Sequence, residues 1–139
     1  MTRWTSEYAR ERFASGRVAR LATVDAHGQP HLVPVTFAVF ADAVVIAIDH
    51  KPKSTRDVKR LANIEANPLV SLLVDEYSDY WERLWWARAD GSARIEYSGE
   101  TWETARDHLA RRYPQYREQP PDGPIILVTV QRWSGWSFR

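Results

Sequence analysis

The chain has 139 residues, a length that suits one domain burying about two thirds of the surface its unfolded form would expose. Acidic and basic residues nearly balance at a formal charge of +1, which argues against whole-molecule attraction to nucleic acid or to an anionic membrane. The absence of cysteine excludes disulfides, thiolate metal sites and cysteine nucleophiles, and it suits a reducing compartment.

The N-terminal MTRWTSEYARERF is charged and amphipathic rather than signal-like, and no apolar run approaches the roughly 18 residues of a membrane span. A soluble, cytoplasmic protein is expected. Thr5 or Ser6 can cap a first helix bearing Tyr8, Ala9 and Phe13 on its apolar face and stopping at Gly16, placed as a lid over one barrel end. Val18 to Val24 reads as a strand, followed by a turn at residues 25–30. His31 to Phe40 is a second strand, and Pro34 within it, having no N–H, requires an open side or a bulge. A tight return at Asp42 leads into Ala43 to Ile48, which closes a three-strand meander.

Residues 47–74 read as strand, basic loop, helix, strand. The helix begins near Ser54 or Thr55, has an apolar side of Val58, Leu61, Ala62, Glu65 and Ile64, and stops at Asn67-Pro68. Leu69 to Val74 is nearly all apolar and predicts a strand buried on both faces. Asp75 to Arg83 is an exposed excursion. Leu84 to Ile95 is strand-like, and its Asp90-Gly91 fits either a two-residue hairpin or a glycine bulge in one long strand. Ser98 or Gly99 opens a third helix with Trp102, Ala105, Leu109 and Tyr113 on one side, ended by Pro114. A proline-rich connector over 114–124 leads to a last strand, Ile125 to Val130, and to the tryptophan-rich end of the chain. About six short strands and three peripheral helices predict a small α+β barrel in a single domain.

All three lysines, Lys51, Lys53 and Lys59, lie within nine residues, although every other basic side chain is arginine. With the hydroxyls of Ser54 and Thr55 and with Arg60 around a helix N-terminus, they suit a phosphate. The residues alone are equally compatible with a solvated charged helix face. His27 and His31 are separated by Gly28 and Pro30, which exclude a shared helical face, so no metal site is expected. No nucleophile has a base at a recognisable spacing, and no GxSxG elbow is present. Seven tryptophans exceed what the core needs, and of the adjacent Trp85 and Trp86 one must point out of the barrel. Trp133 and Trp136 repeat the theme.

The segments GQPHLVPVTF (28–37), KPKSTRDVKRLANIEANPLVSLLVD (51–75), RLWWARADGSARI (83–95), YPQYREQPPDGP (113–124) and RWSGW (132–136) together resemble a known family. The chain is similar to the pyridoxamine 5'-phosphate oxidase-like proteins, and most to their small actinobacterial branch of F420-dependent oxidoreductases. The resemblance implies an antiparallel split β-barrel of six to seven strands with peripheral helices. It also implies a homodimer whose interface holds the deazaflavin F420 or, alternatively, FMN, and hydride transfer to a small-molecule acceptor without partners among nucleic acids or membranes. By the same resemblance Val33, Pro34, Val35 and Thr36 lie against the ring and Ile48 beside it, while Lys51, Lys53, Ser54, Thr55, Lys59 and Arg60 hold the phosphate. Thr36 would hydrogen-bond the pyrimidine edge, and Trp86, reaching across from the partner subunit, would wall the acceptor pocket. Trp133 and Trp136 belong to the family's C-terminal cofactor segment. The family makes Asp90-Gly91 a bulge. The arginine and histidine with which vitamin B6-forming members contact substrate have no counterpart after Trp136, so that activity is not expected.

Overall fold

The computed structural model describes residues 1–48 and 55–139, the side chains of 55–58 excepted. Along the chain run β1 (Thr2–Arg3), α1 (Ser6–Ser15), β2 (Ala19–Val24), β3 (Pro30–Val35), β4 (Ala38–Phe40), β5 (Ala43–Ala47) and α2 (Thr55–Ala66). They are followed by β6 (Leu69–Glu76), β7 (Trp85–Glu96), α3 (Glu100–Arg112), α4 (Pro114–Glu118) and β8 (Ile125–Ser137). The strands form one antiparallel sheet in the order β3-β2-β6-β7-β8-β5-β4, with β1 added to β8. Only Thr36 and Phe37 separate β3 from β4, yet the two sit at opposite ends of this order. Each residue spans at most about 3.6 Å, so the sheet must curl until its ends nearly meet. The result is the α+β split barrel.

Pro34 therefore lies on an edge strand, paired through β2 at Arg20 and open on its other side, where a missing N–H costs no ladder bond. The expected meander is split at its middle strand. β3 pairs with β2 and β4 with β5, at the two ends of the sheet.

Phe13, Leu21, Phe37, Ile46 and Leu72 fill the barrel, none more than 1% exposed. A second cluster, with Val45, Leu109, Ile125 and Leu127, lies between the other face of β5 and β8 and helix α3. Double burial, expected of β6, belongs instead to β5, all five of whose residues are buried. β6 alternates, with Val70, Leu72 and Val74 inward and Leu69 60% exposed, because α3 covers β5 whereas no described helix covers the outside of β6.

β7 is one long strand, as the family resemblance implies, and the hairpin alternative fails. The extra residue of the bulge, however, is on β8: Asp90 faces Arg132, Gly91 faces Val130, and Gln131 is left over. A Cβ on Gly91 would collide with the Thr129 carbonyl, so close strand approach selects glycine here. Beyond this bulge β8 continues through RWSGW to Ser137, well past the expected end at Val130.

The helices follow their sequence signals with two changes. The Thr5 hydroxyl caps α1 by accepting the Tyr8 N–H at 3.2 Å. α1 puts Ala9 and Phe13 into the core, while Tyr8 stays 41% exposed. Residues 114–118 form α4 rather than a connector, since Pro114 suits the first helical turn, which needs no N–H there. On α2, Ala62 and Glu65 are exposed, whereas Ile64 and Asn63 are buried at 3% each. Asn63 donates from Nδ2 to Thr23 Oγ1 at 3.1 Å, so a polar pair fixes the rotation of the helix on β2.

Candidate functional site

The gap between β3 and β4 is where the chemistry gathers. An edge strand ends there, two residues without strand pairing follow, and their polar groups need partners. Tyr113, at the junction of α3 and α4, supplies one: its hydroxyl accepts the Phe37 N–H at 3.1 Å and lies 2.9 Å from the carbonyls of both Phe37 and Arg17, one of which takes its proton. Arg112 beside it donates to the carbonyls of Ala14, at 2.6 Å, and of Gly16, and its guanidinium lies over the Phe37 ring. The end of α1, the gap and the start of α4 are thus tied together.

A groove of about 290 Å³ opens against this gap. Pro34, Val35, Ile46 and Ala47 give it an apolar surface, Thr36 and Tyr116 bring hydroxyls, and Arg60 reaches it from α2. The Thr36 and Tyr116 hydroxyls are 3.1 Å apart, and the Tyr116 ring stands edge-on to that of Tyr113 at 5.7 Å. Volume alone does not single this groove out, because others on the surface measure about 280 to 350 Å³. Its mixture does: apolar side chains, a pair of hydroxyls and a guanidinium meet with no carboxylate among the described residues lining it, whereas Asp90, Asp75 or Glu76 and Glu82 line the others. It fits a flat apolar body with a polar edge and an anionic group. The donor set suits binding rather than acid–base work. Among the described residues no group of three or more His, Asp or Glu could hold a metal.

The structure divides the sequence candidates. Pro34, Val35, Thr36 and Arg60 come together in the groove. Val33 packs against the barrel core and Ile48 belongs to it, as does Ile46, which with Ala47 also borders the groove. Lys51, Lys53 and Ser54 lie outside the described residues, as does the side chain of Thr55, whose backbone begins α2. Lys59 is exposed, and its charge acts on Asp25 in the β2–β3 turn. That carboxyl is held below its ordinary value mainly by the Gln29 N–H, then by the His27 N–H, with smaller help from the charges of His27 and Lys59. Tyr116 was missed because the run around it reads as a loop. Its signal was the spacing in YPQY, which one helical turn beginning at proline converts into two tyrosines on one side.

The tryptophans separate by face. Trp85 packs with Trp4, their rings 5.6 Å apart, and against the core, while the Arg12 guanidinium covers it at 4.3 Å. Trp133 lies inside, 5.3 Å from Phe13. Trp86 and Trp136 are register partners on the opposite, outer face, away from the Pro34–Thr36 groove lining. There Trp86 carries Arg88 over its ring at 5.3 Å. Arg88 Nε is 3.0 Å from Asp90, whose other oxygen accepts from Ser71 at 2.5 Å. The surrounding outer face is apolar, with Leu32 68% and Leu69 60% exposed.

No curated protein matches the chain by sequence. Among solved structures, a conserved hypothetical protein of Mycobacterium tuberculosis superposes with a TM-score of 0.78 at 21% identity, over 98% of this chain and 86% of that one. A FAD-binding protein of Mesorhizobium loti gives 0.74 at 21%, covering 96% and 95%. The heme storage protein of Vibrio cholerae gives 0.71 at 20%, covering 96% and 95%. At such identities these likenesses speak for the fold alone. The family model described as pyridoxamine 5'-phosphate oxidase matches residues 5–137, nearly the whole chain, and the protein belongs to that family.

Proposed function

We propose that the protein is an F420-dependent oxidoreductase, with FMN as the alternative cofactor, acting as a homodimer on a small organic acceptor. The observation that carries this reading is the convergence of Val35, the Thr36–Tyr116 hydroxyl pair and Arg60 on one groove beside an open strand edge. Val35, Ile46 and Ala47 would hold the flat ring, and Arg60 would face the phosphate of the tail. At about 290 Å³ the groove lies at the small end of the range for ligand sites, so a tail would extend past it toward the start of α2.

A deazaflavin or flavin supplies the hydride chemistry when bound. The chain's own contribution is to fix the ring, bind the anion and exclude water from the groove. Solved neighbours described as FAD-binding support a flavin-type ligand. Others are described as heme-binding, but among the described residues no histidine or methionine, the usual axial ligands, lines this groove, and the flavin-type reading is preferred.

The second subunit is inferred from the outer face of β2, β6 and β7. Its polar side chains Ser71, Arg88 and Asp90 bond one another, Arg20 and Asp75 are exposed beside them, and between these lie Ala22, Leu69, Leu73 and Trp86, with Leu32 on the neighbouring β3. A copy of the same face would cover this apolar surface. The test of the cofactor site is fluorescence titration of F420 and FMN with Arg60→Ala and Lys59→Ala. Loss of a charged hydrogen bond predicts about tenfold or more weaker binding for Arg60→Ala and less than about threefold for Lys59→Ala. Equal, unchanged affinities would overturn the assignment of Arg60.

A further inference from the structure

At the break between β3 and β4, Tyr113 engages the main chain of Phe37. Its hydroxyl accepts the Phe37 N–H and sits 2.9 Å from the Phe37 carbonyl. On this wall the hydroxyls of Thr36 and Tyr116, half-buried and 3.1 Å apart, both line the groove.

Each hydroxyl is one donor and two acceptor lone pairs. Bonded to each other, the two share one proton and leave a single O–H pointing elsewhere, next to free lone pairs. This is a donor beside an acceptor. Its complement is a ligand edge with a carbonyl next to an N–H, the pattern of a cyclic imide. A flavin and a deazaflavin both carry that edge on their pyrimidinedione ring, whereas a porphyrin rim has no neighbouring carbonyl and N–H.

Resting on the cofactor reading above, we infer that Tyr116 forms with Thr36 a hydroxyl pair that reads the imide edge of the bound ring, making Tyr116 a specificity-determining residue. α4 exists to hold it there. Pro114 starts that helix directly after Tyr113, and Tyr116 packs edge-on against the Tyr113 ring, so one tyrosine ties the strand break and fixes the other. The pair then distinguishes ring N–H from ring N-alkyl at the imide nitrogen, which Arg60, facing the anion, does not.

The experiment compares FMN with its N3-methyl derivative, or F420 with its counterpart should F420 be the one that binds. Dissociation constants are measured by fluorescence for the wild-type chain, Tyr116→Phe and Thr36→Val. One hydrogen bond predicts a wild-type preference of about three- to tenfold for the unmethylated ring. In either variant the preference falls to within about twofold, whatever the change in overall affinity. Thermal melting confirms that both variants are folded. An unchanged preference in both folded variants overturns the inference, and so does a wild-type chain that binds both forms alike; in these two cases the cofactor reading stands. Binding of neither cofactor overturns both.

Discussion

Two open surfaces of the same barrel make a useful contrast. Beside the β3–β4 break, hydroxyls and a guanidinium converge on one small groove with apolar side chains around them. On the outer face of β6 and β7 the Ser71–Asp90–Arg88 chain ties polar groups to one another, and large apolar side chains such as Leu69 are exposed around it, with Asp75 at one end. The first arrangement rewards a ligand that brings its own polar groups. The second rewards apolar area. The distinction rests on which side chains face each opening, not on size, because the openings on the two surfaces have similar volumes.

The largest effect is expected from charging the outer face. Leu32→Glu with Leu69→Glu would set like charges against themselves across a two-fold axis, costing several kcal/mol and weakening dimerisation by about a hundredfold or more. Sedimentation equilibrium should then show monomers that retain the wild-type circular dichroism spectrum. A dimer of undiminished stability would remove this face from the interface.

A smaller effect is expected at the break itself. Tyr113→Phe removes the hydroxyl that accepts the Phe37 N–H, and stranding a buried main-chain donor costs about 1–3 kcal/mol. The melting temperature should fall, and groove affinity should fall with it although Tyr113 does not line the groove. If affinity held while stability dropped, Tyr113 would be structural only.

The smallest effect lies away from both surfaces. His108 stacks on Phe40 at 4.5 Å, and its pKa is lowered first by burial and then by Arg111, with Asp107 opposing. The unfolded chain therefore takes up this proton at a higher pH than the folded one. The stabilisation is fully present above the ordinary value of 6.5 and is lost as pH falls through the lowered one, so denaturation midpoints should drop on acidification and drop less in His108→Phe.

What the sequence made legible follows from what kind of interaction each feature uses. Caps, breakers and periodicity are local, and so Thr5, the start of α2 at Thr55 and the edge position of Pro34 could be read directly. Burial depends on what covers a strand. That is why burial on both faces, expected of β6, is found on β5: the covering helix α3 comes from far along the chain. The site was legible in part for the same reason. Pro34 to Thr36 and Arg60 stand out by residue type, and the family resemblance placed them, but Tyr116 reaches the groove only through its contact with Thr36, eighty residues away. Trp133 drew notice as an aromatic near the chain's end, yet the inward alternation of β8 turns it into the core against Phe13.

The central claim is that the groove holds a phosphate-bearing flavin-type ring. Its most direct test is a side-by-side titration of the wild-type chain with F420, FMN and heme, each repeated with Arg60→Ala. The account predicts saturable binding of F420 or FMN that weakens about tenfold in the variant. Binding of heme alone, or flavin-type binding indifferent to Arg60, would contradict it.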